Sequence, residues 1–321
     1  MELKEIQYML AIAECKSISK ASEQLYIAQS SLSQFLKNYE AHCGYTFFTR
    51  TNRGLIPTKE GELYIETARK IYMLQRNLNN QLFEMSALER GKVIFSLSGY
   101  RSPHLLPSLI PRFQNLYPGI ELSILEASME AQEQLLKKGE SDVAFLCLPL
   151  KKHDIPYREI MTEEILLAVS PDFPFLKIAD IHNDCHRLWI EPSTLTQQKF
   201  LLYSINHRLQ DFAEQLFSQY HIHPHIVQSH NSFDTLIRLC ETGMGLTFIP
   251  ETYIDARSRL NYLSLGKEGM YRTLVLGYPP MSYMPNAVQV FSDVLIEIFE
   301  QKSGELQQLR VQQNQSHQLK Q

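Results

Sequence analysis

Six polar side chains recur near the start of the chain, at positions that can share one face of a helix. They are Ser30, Ser31, Ser33, Gln34, Lys37 and Asn38. Hydroxyl and amide groups can hydrogen-bond the base edges of a DNA major groove, and a lysine can contact a phosphate. This pattern predicts a surface for reading DNA, provided that helices hold it at the required geometry.

Two helices separated by a tight turn must position these side chains. The apolar spacing predicts one helix that ends near Tyr26 and a second that begins near Ser30. Ser19 is the expected N-cap of the first helix, and Gly44 the expected C-cap of the second. The inward residues would be Ala21, Leu25, Leu32, Leu36 and Tyr39.

A β-hairpin is predicted directly after these helices. Its strands would span residues 47–50 and 55–58, around a turn in which Gly54 can adopt a positive φ. Such a hairpin forms a wing with Arg50 and Arg53 at its edge. Arginines there suit the DNA backbone or the minor groove.

A long helix is expected from residue 59 to residue 88. Its apolar stripe is narrow, which indicates a partner helix from a second copy of the chain. The alternative is a helix that lies on its own domain. The stripe consists of Ala68, Ile71, Leu74, Leu78, Leu82, Met85 and Leu88.

Strands and helices alternate from Gly91 to residue 299. Apolar strands such as 93–97 and 142–146, separated by helices, indicate a mainly parallel α/β sheet. The length of 321 residues fits about two or three domains. Residues 302–321 are rich in glutamine and poor in apolar residues, so they predict a frayed or disordered tail.

The charge of the chain limits how it could bind DNA. The net charge is -4 at pH 7, and residues 1–58 hold six cations against five acids. Affinity for any DNA depends on the number of phosphates neutralised, so a single copy would bind weakly. Tight binding is therefore expected to need two or more copies. The cations counted are Lys4, Lys16, Lys20, Lys37, Arg50 and Arg53, and the acids are Glu2, Glu5, Glu14, Glu23 and Glu40.

The cysteines and the hydropathy indicate a cytoplasmic protein without a membrane partner. No stretch approaches the roughly 18 apolar residues that span a bilayer, and no signal segment is recognisable. The five cysteines include no Cys-x-x-Cys pair, so buried, reduced thiols are the favoured interpretation. A redox switch at Cys185 is the alternative. The cysteines are Cys15, Cys43, Cys147, Cys185 and Cys240.

No motif for catalysis or for a cofactor is recognisable. The chain has no nucleophile elbow, phosphate-binding loop or metalloprotease helix, so no catalytic residue and no cofactor are expected. His221, His223 and His225 alternate as zinc ligands on one strand face could. Because Pro224 interrupts that strand and three histidines do not complete a tetrahedral set, surface histidines are favoured and no metal site is expected.

The order and spacing of these features resemble the LysR-type transcriptional regulators over nearly the whole chain. In the first part the matching residues are Leu3, Ile6, Ala13, Glu14, Ser17, Ile18, Ser19, Ala21, Leu25, Gln29, Ser33, Glu40, Gly44, Phe48, Thr49, Arg50, Arg53, Thr58 and Gly61. In the second part they are residues 105–107, 117–119, 139–144 and 243–246, with Pro250.

The resemblance implies an α/β fold in four parts. Residues 1–58 would form a winged helix-turn-helix DNA-binding domain, and residues 59–90 a dimerisation linker helix. Residues 91–301 would form an effector-binding domain that resembles periplasmic binding proteins. Its first lobe would comprise about 91–163 and 273–301 and its second about 164–272, with crossings near Glu163 and Arg272. The Gln-rich tail, 302–321, completes the chain.

Two positions at the turn depart from the family pattern. The family usually has a serine at the position of Ala28, where it caps the recognition helix, and a proline at the position of Ser30. We therefore expect Ser30 to cap the helix instead and the helix to begin later than usual.

The resemblance also implies roles for individual residues. Base-edge contacts are expected from Gln29, Ser31, Ser33 and Gln34, and Lys37 would contact phosphate. Helix-start chemistry is the alternative for Ser31, and a solvated turn the alternative for Arg53. The full set of expected DNA-binding residues is Gln29, Ser30, Ser31, Ser33, Gln34, Lys37, Arg50 and Arg53.

An effector site is expected between the two lobes. Ligands of open α/β sheets bind beyond the carboxyl ends of strands, near helix N-termini. Backbone amides and the Arg101 guanidinium could there bind the carboxylate of an anionic small molecule. The alternative is that Arg101 pairs with a nearby acid such as Glu126. The expected effector-binding residues are Ser98, Tyr100, Arg101, Ser102, Ser128 and Thr196.

Together these expectations describe a ligand-responsive, sequence-specific DNA-binding regulator. Its partners would be double-stranded DNA, a small-molecule effector, further copies in a homodimer or homotetramer and, for an activator, RNA polymerase. The alternative is a cytoplasmic solute-binding protein or enzyme with an α/β cleft and a helical appendage. Only the regulator needs both a wing and a long helix with a partner.

Overall fold

The computed structural model describes residues 2–52, 54–85, 91–173, 188–204, 208–254, 258–280 and 283–318. The chain forms two compact units, Met1–Leu88 and Glu89–Gln321. Among the described helices, none combines the length and the apolar character needed to cross a bilayer.

Three helices form the core of the first unit. They are α1 (Leu3–Cys15), α2 (Ile18–Gln24) and α3 (Gln29–Cys43). The predicted inward face is confirmed, since its residues are buried except for the half-buried Leu25. The buried members are Ala21, Leu32, Leu36 and Tyr39.

The two predicted serine caps are wrong. The N-cap of α2 is Ser17, whose hydroxyl accepts a hydrogen bond from the Lys20 amide, and not Ser19. The N-cap of α3 is Ala28, which has no side-chain oxygen to accept a bond, so Ser30 does not delay the helix. The backbone carbonyl of Ala28 still accepts from the Leu32 amide, which is sufficient to start the first turn.

The predicted wing is present and is fastened to the helices. Strands β1 (Phe48–Thr51) and β2 (Gly54–Pro57) pair antiparallel. The carboxylate of Glu40 on α3 accepts hydrogen bonds from the amides of Phe47 and Phe48, at 2.6 and 3.1 Å. The Leu55 amide donates to the carbonyl of Lys16. The hairpin is therefore held at a fixed distance from α3.

Helix α4 (Lys59–Met85) buries the start of the predicted stripe and exposes a line of leucines farther along it. Ala68 is fully buried. By contrast, Leu74, Leu78 and Leu82 are 67, 54 and 56% exposed. Leu88, the last residue of the predicted stripe, lies outside the described residues. The exposed leucines favour the interpretation of the stripe as a contact with another copy.

The first strands of the second unit form the parallel part of its sheet. Strand β3 (Gly91–Leu97) pairs parallel with β4 (Ile120–Glu126) and with β5 (Val143–Cys147). Helices α5 (Ser102–Leu116) and α6 (Met129–Lys138) make the crossovers. This α/β pattern is the predicted one.

Most of the remaining strand pairs in the sheet are antiparallel, so the sheet is mixed and the prediction of a mainly parallel sheet is wrong. A long strand, β6 (Tyr157–Val169), pairs with three strands that all run opposite to it. These partners are β10 (Thr247–Pro250), β11 (Asn261–Leu265) and β12 (Tyr271–Gly277). The chain therefore crosses between the two ends of the sheet twice, in opposite directions. Strand β7 (Trp189–Ile190) completes the far end.

The remaining elements surround the far end of the sheet. Strand β8 (Lys199–Tyr203), which the sequence did not predict, pairs parallel with β9 (His225–His230). Helices α7 (Arg208–Gln219) and α8 (Phe233–Glu241) pack around these strands.

The second unit has two large hydrophobic cores and a smaller cluster where α6 packs on the sheet. One core is built from residues of β3, β5, α5 and the C-terminal helix. The other is built from the second half of β6 and from residues 190–265. Among the described strands, β6 pairs with β12 through its first half and with β10 and β11 through its second half, so it crosses between the two ends near Glu163, as expected. The chain returns from β11 to β12, where Arg272 lies at the start of the strand, close to the second expected crossing. These two residues are directly paired in the register.

The C-terminal segment is helical, and the prediction of a frayed or disordered tail is wrong. Helix α9 spans Asn286–Gln318 without interruption. Leu306 is 5% exposed and extends the apolar side of the helix beyond residue 301. Composition alone therefore did not reveal that the helix continues beyond residue 301.

Replacing Gly61 by alanine tests the close approach of α4 to the wing. A Cβ at Gly61 would clash with the carbonyl oxygen of Phe47, so G61A should destabilise the protein by about 1–3 kcal/mol. The control is G304A, at an open helical position where alanine should stabilise by up to about 1 kcal/mol. Denaturant unfolding of both variants measures the difference. Equal stability of the two variants would contradict the close packing.

Candidate functional site

The first candidate site is the solvent-facing side of α3. The predicted residues that lie on this helix are all exposed on it: Gln29, Ser30, Ser31, Ser33, Gln34 and Lys37. The Ser19 hydroxyl donates to the Gln29 side-chain oxygen at 2.9 Å, which connects α2 to the start of α3. The Gln34 amide donates to the Asn38 side chain at 2.8 Å and keeps its own oxygen available. The structure thus gathers these polar groups on one accessible surface.

The wing carries one of the two predicted arginines within the described residues. Arg50 is exposed on β1. Arg53 lies outside the described residues, so its predicted contact with DNA stays a prediction.

The second candidate site is a cavity of about 840 Å³ in the second unit. Small-molecule sites are commonly of this size. Four of the predicted effector residues line it: Ser98, Tyr100, Arg101 and Ser128. Tyr203, Arg208, Asp211 and Asn231 line it from the other core, so the cavity lies between the lobes. Ser102 is buried at the start of α5 and Thr196 follows a short 3-10 helix; neither lines the cavity.

The expected carboxylate-binding amides at the start of α5 already have acceptors. The amides of Arg101, Ser102 and His104 donate to carbonyl oxygens of the preceding turn, and Pro103 has no amide hydrogen. These amides therefore offer nothing to a ligand.

Donors are found instead between Ser98 and the start of α6. The Ser98 hydroxyl accepts from the side-chain amide of Gln132 and the Ser128 hydroxyl accepts from the Ala131 amide, at 3.2 and 3.3 Å. Each hydroxyl therefore keeps its own hydrogen for another acceptor. Because α6 begins here, its N-terminal dipole adds to the attraction for an anion.

Arg101 is committed to a buried ion cluster below the cavity. Its Nη2 lies 3.2 Å from Glu163 Oε1, and its side chain is 5% exposed. Arg272 binds the same Oε1 through Nε and Nη2, at 2.7 and 2.6 Å. The Thr252 hydroxyl donates to the other oxygen of Glu163. Arg101 thus has an acidic partner, as the alternative held, but that partner is Glu163 and not Glu126.

Within this cluster two guanidinium groups share a single carboxylate. Burial raises the pKa of Glu163, but Arg272, Arg101 and the Thr252 hydrogen bond lower it more, so the pKa lies below the ordinary range. Glu163 is therefore ionised at neutral pH. The cluster carries one positive charge beyond the one that Glu163 balances, and this charge lies beneath the cavity wall.

Tyr100 in the cavity wall packs against aromatic rings of the core formed by the second half of β6 and residues 190–265. Tyr100 stacks on Tyr253 at a ring-centroid distance of 5.6 Å and contacts Tyr203 and Phe233, both at 6.1 Å. The Tyr253 hydroxyl donates to the carbonyl of Tyr100. The predicted effector residue Tyr100 thus belongs to the first lobe in sequence and to the second core in packing.

The described histidines form no metal site. Within the described ranges, no group of three or more histidine, cysteine, aspartate or glutamate side chains could hold a metal ion. His182, Cys185 and His186 lie outside those ranges.

Sequence reasoning missed Glu163, Arg272, Arg208 and Asp211 as functional candidates. The crossings were placed at Glu163 and Arg272, but their charges were not connected with Arg101. A usable signal was present, because Glu163 and Glu164 precede the apolar run 165–169 in a strand that becomes buried.

Family models match nearly the whole chain. The model of the bacterial regulatory helix-turn-helix proteins of the lysR family matches residues 3–62. The model of the LysR substrate binding domain matches residues 86–300. The chain belongs to the LysR family. It is accordingly a DNA-binding transcriptional regulator with an effector-binding domain, and these matches give no support to the solute-binding or enzyme alternative.

Other LysR-family regulators resemble the chain over most or nearly all of their length. An uncharacterized regulator of Bacillus subtilis, YcgK, is 27% identical over 95% of this chain and 97% of its own. AlsR of the same organism is 26% identical over 78% of this chain and 81% of its own. The dual regulator OxyR of Escherichia coli is 23% identical over 92% of this chain and 95% of its own.

Solved structures of LysR-family members share the fold. A full-length OxyR variant from Pseudomonas aeruginosa has a TM-score of 0.70 at 22% identity and covers 92% of this chain and 94% of its own. Full-length CbnR in complex with its target DNA has a TM-score of 0.57 at 18% identity, covering 92% of this chain and 99% of its own.

Replacing Glu163 by glutamine tests the ion cluster. The variant leaves two buried guanidinium groups without a counter-charge, which should destabilise this LysR-family protein by about 3–5 kcal/mol. The control is E121Q, which breaks an exposed ion pair with Lys92 and should leave the free energy of unfolding nearly unchanged. Denaturant unfolding near neutral pH measures both variants.

The pH dependence of this difference checks its electrostatic origin. Because the pKa of Glu163 is lowered in the folded state, its stabilisation is present above the ordinary glutamate pKa of about 4.3 and is lost as the pH falls through the folded-state value. The stability gap between the wild type and E163Q should therefore shrink in acid. A gap that stays constant down to acid unfolding would contradict the ion cluster.

Proposed function

We propose that α3 reads operator DNA in the major groove and that the wing contacts the adjacent backbone or minor groove. The observation that carries this proposal is the exposed row of hydroxyl, amide and ammonium groups on a helix whose other side is buried. Gln29, Ser31, Ser33 and Gln34 would contact base edges, and Lys37 would contact phosphate. Ser30, Arg50 and Arg53 complete the proposed interface.

Two substitutions on α3 separate base reading from phosphate binding. K37A should weaken binding to all sequences alike and reduce the salt slope by about 1. Q34A should instead change the preference at one base pair, by about 1–3 kcal/mol. Binding of full-length variants to randomised and selected duplexes, over a range of salt concentrations, measures both effects.

K70A provides the matched control for a lost charge. Lys70 lies on α4 and pairs with Glu66 at 2.7 Å, so its removal should leave DNA binding unchanged. If neither K37A nor Q34A alters DNA affinity, the proposed recognition face is wrong.

We propose further that α4 pairs with the same helix of a second copy, and that dimers associate as tetramers on DNA. The exposed leucines of α4 support this, because a row of large apolar side chains in water marks a contact surface. The net charge of the DNA-binding domain, residues 1–58, is close to zero. Because one copy of this domain neutralises few DNA phosphates, tight binding also favours several copies.

Introducing a charge into the leucine row tests the dimer. L78D should shift the protein from dimer or tetramer to monomer, because the interface would bury an unpaired carboxylate. N79D places the same charge on the neighbouring exposed position and should leave the assembly intact. Sedimentation velocity of both variants measures the mass. A monomeric wild type, or an L78D variant that assembles normally, would contradict the proposal.

We propose that the effector is a small molecule with a carboxylate, held in the inter-lobe cavity. The Ser98 and Ser128 hydroxyls, the start of α6 and the excess positive charge of the cluster of Arg101, Arg272 and Glu163 all favour a negative group. Ligand binding would shift the equilibrium between open and closed arrangements of the two lobes. This shift would change which DNA half-sites the paired DNA-binding domains can reach.

Some relatives are named hydrogen peroxide-inducible genes activators, but two cysteines of this chain, Cys15 and Cys240, lack the properties of a reactive thiol. A reactive cysteine needs a lowered pKa and access to solvent. Cys240 is fully buried, and burial raises its pKa to about 12. Burial also raises the pKa of Cys15. Cys185 lies outside the described residues.

The remaining partners follow from the regulator class. A protein that binds bacterial DNA acts in the cytoplasm, which is where we place it. As an activator it would also contact RNA polymerase.

A further inference from the structure

The charges that line the inter-lobe cavity fall into two groups, those with partners and those without. Lys151 Nζ lies 3.2 Å from a carboxylate oxygen of Glu130. Arg208 donates to the carbonyl of Pro149. Arg101 is held by Glu163. Arg101 and Lys151 are therefore paired with carboxylates, whereas Arg208 is hydrogen-bonded to a neutral backbone carbonyl.

Two carboxylates of the lining have no such partner. Glu133 accepts from the amides of Lys151 and Lys152. Within the described parts of the chain, by contrast, no hydrogen bond or ion pair engages Glu126 or Asp211. Glu126 ends β4 in the first lobe, and Asp211 lies in the first turn of α7 in the second. The cavity therefore offers unengaged acceptors from both sides.

Glu126 lies beside the donors that favour a ligand carboxylate. Its Oε2 is 3.1 Å from the position that a Cβ on Gly99 would occupy, next to Ser98 in the chain. A purely anionic ligand bound to the Ser98 hydroxyl would face this carboxylate and be repelled by it. A ligand with an ammonium group beside its carboxylate would neutralise Glu126 and still satisfy the hydroxyls.

We propose that the effector is a zwitterionic α-amino carboxylate, and that Glu126 binds its ammonium group. This inference rests on the proposed carboxylate site and adds the second charged group. Ser98 and Ser128 bind the carboxylate, and the amino-acid side chain extends towards Tyr203 and Asp211 in the second lobe. A charge-assisted hydrogen bond to Glu126 then discriminates against acids that lack the amino group.

Ligand binding to the full-length protein tests this assignment. The probes are the twenty L-amino acids and, for each that binds, the acid without its amino group and the amine without its carboxylate. Calorimetry should find at least one amino acid that binds about tenfold or more tightly than its deaminated acid, because a hydrogen bond to an ion is lost. In E126Q this preference should shrink, whereas E121Q, the same change outside the cavity on the same strand, should keep it.

S98A separates this inference from the proposal on which it rests. It should weaken the amino acid and its deaminated acid alike. The inference is overturned if no amino acid binds, or if the deaminated acid binds as tightly as its amino counterpart. A third outcome is that acids without an amino group bind, and that S98A weakens this binding while E126Q does not. This outcome would overturn the inference but would leave the proposed carboxylate site intact. Failure of the wild-type chain to bind DNA would instead overturn the proposed function.

Discussion

The second unit of this LysR-family protein depends on one carboxylate, that of Glu163, held between Arg101 and Arg272. The two crossing strands β6 and β12 meet at this point, and each core of the unit lies on a different side of it. Burying three charges is unfavourable unless they are paired, so the cluster fixes which residues face one another at the crossing. Because Arg101 also lines the cavity, the crossing and the ligand site share a residue.

This arrangement suggests how a ligand signal could reach the crossing strands. A group bound near Ser98 changes the electrostatic environment of the adjacent Arg101, whose partner Glu163 lies on the crossing strand itself. Tyr100, packed among the rings of the second core, provides a second route from the same cavity wall. Both routes are short chains of direct contacts, and packed side chains and ion pairs of this kind can carry coupling between two sites.

The local elements were predictable from the sequence, and the long-range contacts were not. Apolar spacing identified the inward face of α3, the hairpin and most strands, because these depend on neighbours in sequence. The Ser17 cap was missed because Ser17 and Ser19 are both suitable N-cap residues. The Ala28 cap was missed because a backbone carbonyl can start a helix without a side-chain cap. The partner of Arg101 is 62 residues away, so its choice between Glu126 and Glu163 depends on the sheet order. Sequence spacing also could not reveal that the amides before α5 are already bonded.

The central claim is that several copies of the chain bind one operator and respond to a small carboxylate. A footprint of the full-length protein on DNA upstream of its own and the neighbouring gene tests it most directly. The account predicts a protected region of roughly 50 base pairs in two separated parts, because a tetramer places four DNA-binding domains on the DNA at helical-turn spacing. It also predicts that the pattern changes when the effector is added. Absence of protection, or a single short site that no ligand alters, would contradict the account.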